Sequence, residues 1–415
     1  MIQYNKFLLP NGLTVIVHEE HSTPLVTVNM LCGVGARNEN PDKTGFAHLF
    51  EHLMFGGTVQ YPDYDKVVAS MGGDSNAFTN NDYTNYYLTV PASHLEDALR
   101  LESDRLMGIN ISEESLRVQQ QVVTEEFNQR YMNRPYGDVY MLLRPLCYTQ
   151  HPYRWCTIGS DIKHVQDATL DDVRLFFDRY YSIDNIILSV AGDIHTAEAM
   201  DLINKYFGSI KPSKAFPAYN ELPLVEPVQT QARTCTVHRP VPADAIYKAY
   251  VMADHTSLDY YVFDLLSDVL SNGNSSRLYN KYVKEKPMFS DINAFITGEQ
   301  SNGLFVISAR PVSGVSIGEA ERIIDAELML LSQQIVAPSE LEKVVNKFEC
   351  NFAYSQYKVA DRAFSLCHYE WLGNLDWVNN EPLEYRKVSS VDLQRVAAST
   401  FVPEKSNTLY YLKND

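Results

Sequence analysis

The chain has 415 residues, 45% of them hydrophobic, with 35 basic and 52 acidic side chains and a net charge of −17. That length and apolar content can bury a large core as two or more domains. The acidity excludes a nucleic-acid footprint and an anionic membrane surface. No apolar run approaches a transmembrane length, and MIQYNKFLLPNGL lacks the charged-then-apolar order of a signal peptide. The expectation is a cytoplasmic protein, or a periplasmic one if a leader has been removed.

In chain order, GLTVIVHEE and LVTVNMLCGV read as strands, rich in β-branched residues. A helix follows through HLFEHLMFGG, His48 to Gly57, and another from Asp63 to Met71 stops at Gly72-Gly73. SNAFT and TNYYLTV form a hairpin around Asn80-Asn81-Asp82. Helices are expected near 93–108 and 113–133, the second capped by Ser112 with Glu113 and Glu114 in its first turn. NIILSVAGD is a buried strand and AEAMDLINKYF a helix.

The stretch 212–230 carries Pro212, Pro217, Pro223 and Pro227 and reads as a linker between a domain at 1–211 and one at 231–415. Beyond it the order repeats loosely: the strand AIYKAYVMA, the long helix YYVFDLLSDVLS, strands, two more helices and a last strand, TLYYLK. The fold class expected is therefore α+β, with two homologous domains, each an antiparallel sheet packed with helices. Cys32, Cys147, Cys156, Cys235, Cys350 and Cys367 are scattered without a C-x-x-C pair, which argues against a disulfide framework or a thiolate metal site. Asn-x-Ser at Asn110 and Asn274 is read as chance, and the G-x-G of Gly33 and Gly35 as a tight turn, since no third glycine follows.

The chemistry concentrates in HLFEH. On a helix His48, Glu51 and His52 share one face, and the surrounding apolar residues turn that face toward a cleft. Buried ionisable groups need partners, and a metal ion satisfies all three. Two imidazoles suit zinc, and Glu51 suits a general base that takes a proton from water. With 11 histidines in the chain, roughly 0.04 chance matches to this spacing are expected. A third ligand should come from another helix. In QQQVVTEEF, Glu126 follows Val123 by three and Val122 by four, extending their apolar face, whereas Glu125 reads as solvated.

Together, HLFEHLMFGGT, CGVGARNE, MGGDSNAFTNNDYTNYYLTV, VVTEEF, HPYRWCTIGS and GNSSRL resemble the inverzincin (M16) zinc metallopeptidases in their short two-domain form. That is the family of insulin-degrading enzyme, pitrilysin and the mitochondrial processing peptidase. The resemblance implies His48, His52 and Glu126 as ligands of one Zn2+ per chain, Glu51 as catalytic base, and Gln119 in the second shell where the family often has a glutamate. It implies that Asn76, Ala77 and Phe78 lie on an edge strand that takes the substrate as an added β-strand, although an ordinary core strand with Phe78 inside also fits the residues. It implies a clamshell of two domain pairs enclosing peptides or unfolded segments. The family's Arg–Tyr pair after S-R-L is missing: Lys284 would stand with Asp291, or Val283 with Ser290, while Arg277 belongs to S-R-L itself. A dimer follows, either a heterodimer whose homologous partner carries that pair or a homodimer with divergent contacts. The alternative is a non-catalytic scaffold or assembly subunit of the same fold.

Overall fold

The computed structural model describes residues 1–58, 60–109, 111–213 and 225–414. Of the expected linker at 212–230, residues 214–224 lie outside the described residues, as does Asn110. The first sheet has six strands: β1 (Asn5–Leu8), β2 (Thr14–Glu19), β3 (Leu25–Cys32), β4 (Asp74–Thr79), β5 (Thr84–Pro91) and β6 (Ile186–Gly192), in the order β1-β2-β6-β3-β5-β4. The second has five: β7 (Arg233–Arg239), β8 (Ala245–Val251), β9 (Phe289–Ile296), β10 (Leu304–Pro311) and β11 (Asn407–Lys413), in the order β7-β11-β8-β10-β9.

With β1 set aside, the two orders are the same: first, fifth, second, fourth, third. Each sheet is antiparallel except for one parallel pair, β2 with β6 and β7 with β11. The fold is thus α+β with two homologous sheets, each packed with helices. The internal repetition that the sequence order suggests is a repetition of topology.

The compact units are not contiguous halves. One comprises residues 1–127, 155–223 and 353–380; the other comprises 128–154, 224–352 and 381–415. The helix Val359–Trp371, late in the chain, therefore belongs to the first unit, where it packs on β3 and β6. That covering explains why β3 is buried from Val26 to Cys32 and reads as an almost unbroken apolar run. Each fully buried Val, Leu or Met there contributes about 1.5–3 kcal/mol. Asn29 and Asn85 sit in that core and exchange reciprocal amide hydrogen bonds at 2.9 Å, so neither is left unsatisfied.

Several local expectations hold. Ser112 accepts the Ser115 N–H at 3.1 Å as an N-cap should, and the helix expected from Asp63 to Met71 runs over Tyr64–Ser70, with Asp63 as a cap that accepts the Lys66 N–H at 3.0 Å. Others change. The helix from Glu113 ends as α-helix at Phe127 and continues as a π-turn, Asn128–Met132. Residues 317–400 hold five helices, not two. β1 and β7 were not anticipated, being short or half-exposed edge strands without a clear apolar face.

Candidate active site

The helix Phe46–Leu53 buries Phe46, Ala47, Leu49, Phe50 and Leu53, with Phe50 against Phe176, Phe177 and Tyr181 at 4.8–5.9 Å between ring centres. That packing fixes the helix's rotation and leaves His48, Glu51 and His52 on the remaining face. Its first residue follows Gly45, whose φ is +88° and whose missing Cβ would fall 2.8 Å from the Ile158 carbonyl oxygen. Only glycine fits there.

Glu39 holds the start of this helix. It is buried, and its two oxygens accept the Gly45 and Ala47 N–H groups at 2.9 and 2.8 Å. Burial pushes its carboxyl up to about 8, against the opposing pull of those N–H donors. Its two oxygens satisfy orphan donors at the start of the helix. Gly35 brings the Glu39 segment close to the hairpin turn: a Cβ there would lie 2.5 Å from the Asp82 nitrogen, and the Arg37 N–H reaches the Asn81 carbonyl at 2.8 Å. The G-x-G is thus a close-packing device beside the site.

Glu126 comes from the helix Glu113–Phe127, which buries Leu116, Val123 and Phe127. Val122 is 44% exposed, so the buried face runs through Val123 and Phe127 and does not include Val122. Glu125 is exposed, and Gln119 lies half-buried two turns before Glu126 on the same helix. Gln120 anchors this helix by donating to the carbonyls of Val165 and Ala168 at 3.0 and 2.9 Å.

These elements bring His48, His52 and Glu126 together. Nε2 of His52 stands 3.3 Å from Glu126 Oε2, and Nε2 of His48 stands 3.7 Å from Oε1. The two imidazoles lie edge to face, 4.8 Å apart. The side chains are 12, 22 and 15% exposed for His48, His52 and Glu126, a mostly dry setting open on one side. Among the described residues this is one of two groups whose donor atoms all lie within 4.8 Å of one another.

Glu51, on the same helix turn as His48 and His52, accepts a hydrogen bond from the Thr79 hydroxyl at 2.6 Å. Thr79 ends β4, so the edge strand is tied to the helix through that contact. β4 pairs with β5 on one side only and alternates exposed and half-buried residues. It is therefore a sheet edge and not a core strand. Phe78 is 37% exposed and packs on Tyr83 and Phe364. The Ala77 N–H bonds the Asn76 side-chain oxygen at 2.8 Å, so that donor is turned away from β5 and toward the open edge. Beside the strand runs a groove of about 760 Å³ that Asp74, Phe78, Tyr87 and Asp361 help to line.

The sequence did not single out Glu39 or Thr79. A glutamate six residues before a helix-starting glycine is a faint signal for Glu39; Thr79 had none, because its partner is distant in sequence. The segment expected to carry an Arg–Tyr pair holds none in this chain: Lys284 lies in a π-turn, Asn280–Glu285, and Asp291 on β9 pairs with Arg310 at 2.7 Å. Arg277 makes a two-pronged bond to Glu340 at 2.9 and 2.6 Å.

Residues 14–140 match the profile described as Insulinase (Peptidase family M16), and residues 167–348 match the one described as Peptidase M16 inactive domain. The two profiles together cover more than half of the chain. The chain belongs to the peptidase M16 family. Among its M16 relatives is the zinc protease PqqE of Helicobacter pylori, 30% identical over 98% of this chain and 92% of that protein. The crystal structure of a protease from Helicobacter pylori superposes with a TM-score of 0.92 at 29% identity, over 99% of this chain and 100% of that one. The periplasmic protease PqqL from Escherichia coli shares the fold, with a TM-score of 0.80 at 18% identity; 99% of this chain there covers 48% of the longer one. Among the described residues, no helix of this M16 chain is long and apolar enough to cross a membrane.

Proposed function

We propose that the chain is a zinc-dependent endopeptidase that cleaves peptides or unfolded segments inside an enclosed chamber, as the zinc-bearing subunit of a dimer. One observation carries the reading: two imidazoles and one carboxylate converge within 4.8 Å, with a second carboxylate, Glu51, on the same helix turn. That donor set suits zinc in a catalytic site, where three protein ligands leave one position open. His48, His52 and Glu126 would hold the ion. Bound zinc supplies Lewis acidity, lowering the pKa of water and polarising a carbonyl.

Glu51 then acts as general base at its carboxylate, accepting the proton from the attacking water and passing one to the departing amine. The Thr79 hydroxyl holds Glu51 in place and places it beside β4. A substrate segment adds to the open edge at Asn76, Ala77 and Phe78 by main-chain hydrogen bonds. The Ala77 N–H has to exchange its bond to Asn76 for a substrate carbonyl. Gln119 supports the site from two turns away as a neutral hydrogen-bonding group, without adding charge.

The chain lacks an Arg–Tyr pair at 283–291, so the donors that would grip the substrate carbonyl come from a second subunit. The match to about half of a longer relative supports a functional unit of two such lengths. The test is hydrolysis of quenched fluorescent peptides by the purified, zinc-loaded chain alone. Cleavage inhibited by a chelator supports a chain or homodimer that is self-sufficient. Bound zinc without cleavage, restored by a homologous subunit carrying arginine and tyrosine, supports the heterodimer. Bound zinc with no activity in either setting overturns the peptidase reading.

A further inference from the structure

A second group of metal-ligating side chains lies at the end of the first sheet's one parallel pair. In that pair Glu19 stands opposite Gly192, so both strands finish at the same edge. The residues just beyond them are pinned together: the Glu20 N–H donates to the Gly192 carbonyl at 2.8 Å, and the Asp193 N–H to the Leu25 carbonyl at 3.0 Å. Glu19 and His21 meet Asp193 and His195 at this edge.

The donor geometry is close to that of a three-ligand site. Oε2 of Glu19 lies 3.7 Å from His21 Nε2 and 3.9 Å from His195 Nδ1, and the three residues each offer a donor atom within 4.8 Å of the other two. The two imidazole rings are 5.3 Å apart. A tetrahedral zinc-like ion with bonds of about 2.1 Å wants donors about 3.4 Å apart, and small rotations of these exposed side chains close the difference.

The remaining atoms of these groups are already held as a metal site requires. His21 Nδ1 bonds the Asp193 carboxylate at 2.7 Å, which leaves Nε2 turned toward Glu19. The other oxygen of Glu19 accepts the Thr196 N–H at 2.7 Å and the Thr196 hydroxyl at 2.5 Å, which leaves Oε2 facing both rings. A carboxylate behind an imidazole, fixing its tautomer and orientation, is the usual support of a histidine ligand.

We propose that Glu19, His21 and His195 form a second site for a divalent transition-metal ion of the zinc class, with Asp193 and Thr196 orienting the ligands. Two imidazoles and one carboxylate favour Zn2+, Ni2+ or Cu2+ over Ca2+ or Mg2+. The ion ties the turn after β2 to the head of the helix Thr196–Phe207, whose N-cap is His195. Its exposure, with the His195 side chain 77% accessible, makes it the weaker of the two clusters and a clamp rather than a reaction centre.

The experiment strips the full chain with chelator, equilibrates it with Zn2+ by dialysis and counts bound metal by elemental analysis. Wild type is expected to hold two equivalents, His21→Ala/His195→Ala one, and His48→Ala/His52→Ala one. Glu19→Gln should weaken the second equivalent at least about tenfold. If the buried cluster proves metal-free, the proposal still requires one equivalent that persists in His48→Ala/His52→Ala and vanishes in His21→Ala/His195→Ala. Metal counts unchanged by His21→Ala/His195→Ala overturn it. Both histidines are on the surface, so circular dichroism of that variant should match wild type.

Discussion

The two units share a strand order, yet the helices after their second strands differ in kind. The first unit's helix, Phe46–Leu53, is short and presents His48, Glu51 and His52 from its uncovered face. The second unit's helix, Leu258–Ser271, is buried on most sides. Its Asp264 is closed off by the Tyr385 hydroxyl at 2.6 Å, and Asp268 by Asn272 at 2.6 Å. The following helices differ likewise. Glu126 faces two imidazoles, whereas Glu340 and Glu349 on Pro338–Ser355 each take a two-pronged arginine bond, from Arg277 and Arg386. One scaffold thus keeps convergent ionisable groups in one copy and neutralises them pairwise in the other. The proposed chemistry belongs to that local arrangement and not to the fold.

The contrast can be broken at the first unit's cluster, where the largest effect is expected. His52→Ala should remove one equivalent of bound zinc and lower peptide cleavage at least about a thousandfold, since metal and orientation are lost together. Dialysis with elemental analysis and a fluorescent peptide assay check both. Glu39→Ala should follow in size. It leaves the Gly45 and Ala47 N–H groups buried without acceptors, a cost of about 2–4 kcal/mol that urea unfolding would register. Thr79→Val should act on the reaction alone, lowering kcat about tenfold with an unchanged urea midpoint, because it removes only the hydroxyl that holds Glu51.

The second unit offers the smallest and most specific effect. Burial pushes the Asp264 carboxyl up to about 6 from 3.8. The folded state therefore binds that proton more tightly, so the stability it confers is complete below about pH 3.8 and is lost as pH rises through about 6. Asp264→Asn should flatten that part of the profile, gaining on wild type between pH 4 and pH 6.5 in urea unfolding. Peptide cleavage should not change.

Much of this was legible in the sequence, for physical reasons. A helix that must bury one face and expose another writes its period into the chain, so HLFEH, the capping Ser112 and the β3 run could be read directly. Long-range placement could not. Nothing local marks Val359–Trp371 as the cover of β3; Thr79 matters through Glu51, 28 residues before it, and Glu39 bonds N–H groups six and eight residues on, a spacing outside the usual capping patterns. Val122 misled because apolarity was taken for burial, yet it lies on the exposed side of its helix. The helices of residues 317–400 were undercounted because their polar faces are broad and Pro382 lies within one of them.

The proposed chemistry requires Glu51 to act as a base beside a retained metal. The decisive measurement pairs zinc content with peptide turnover in one preparation of Glu51→Gln. Zinc at the wild-type level with turnover reduced by about 10²–10⁴-fold is the predicted result. Undiminished turnover, or turnover that falls only in proportion to lost zinc, would contradict it.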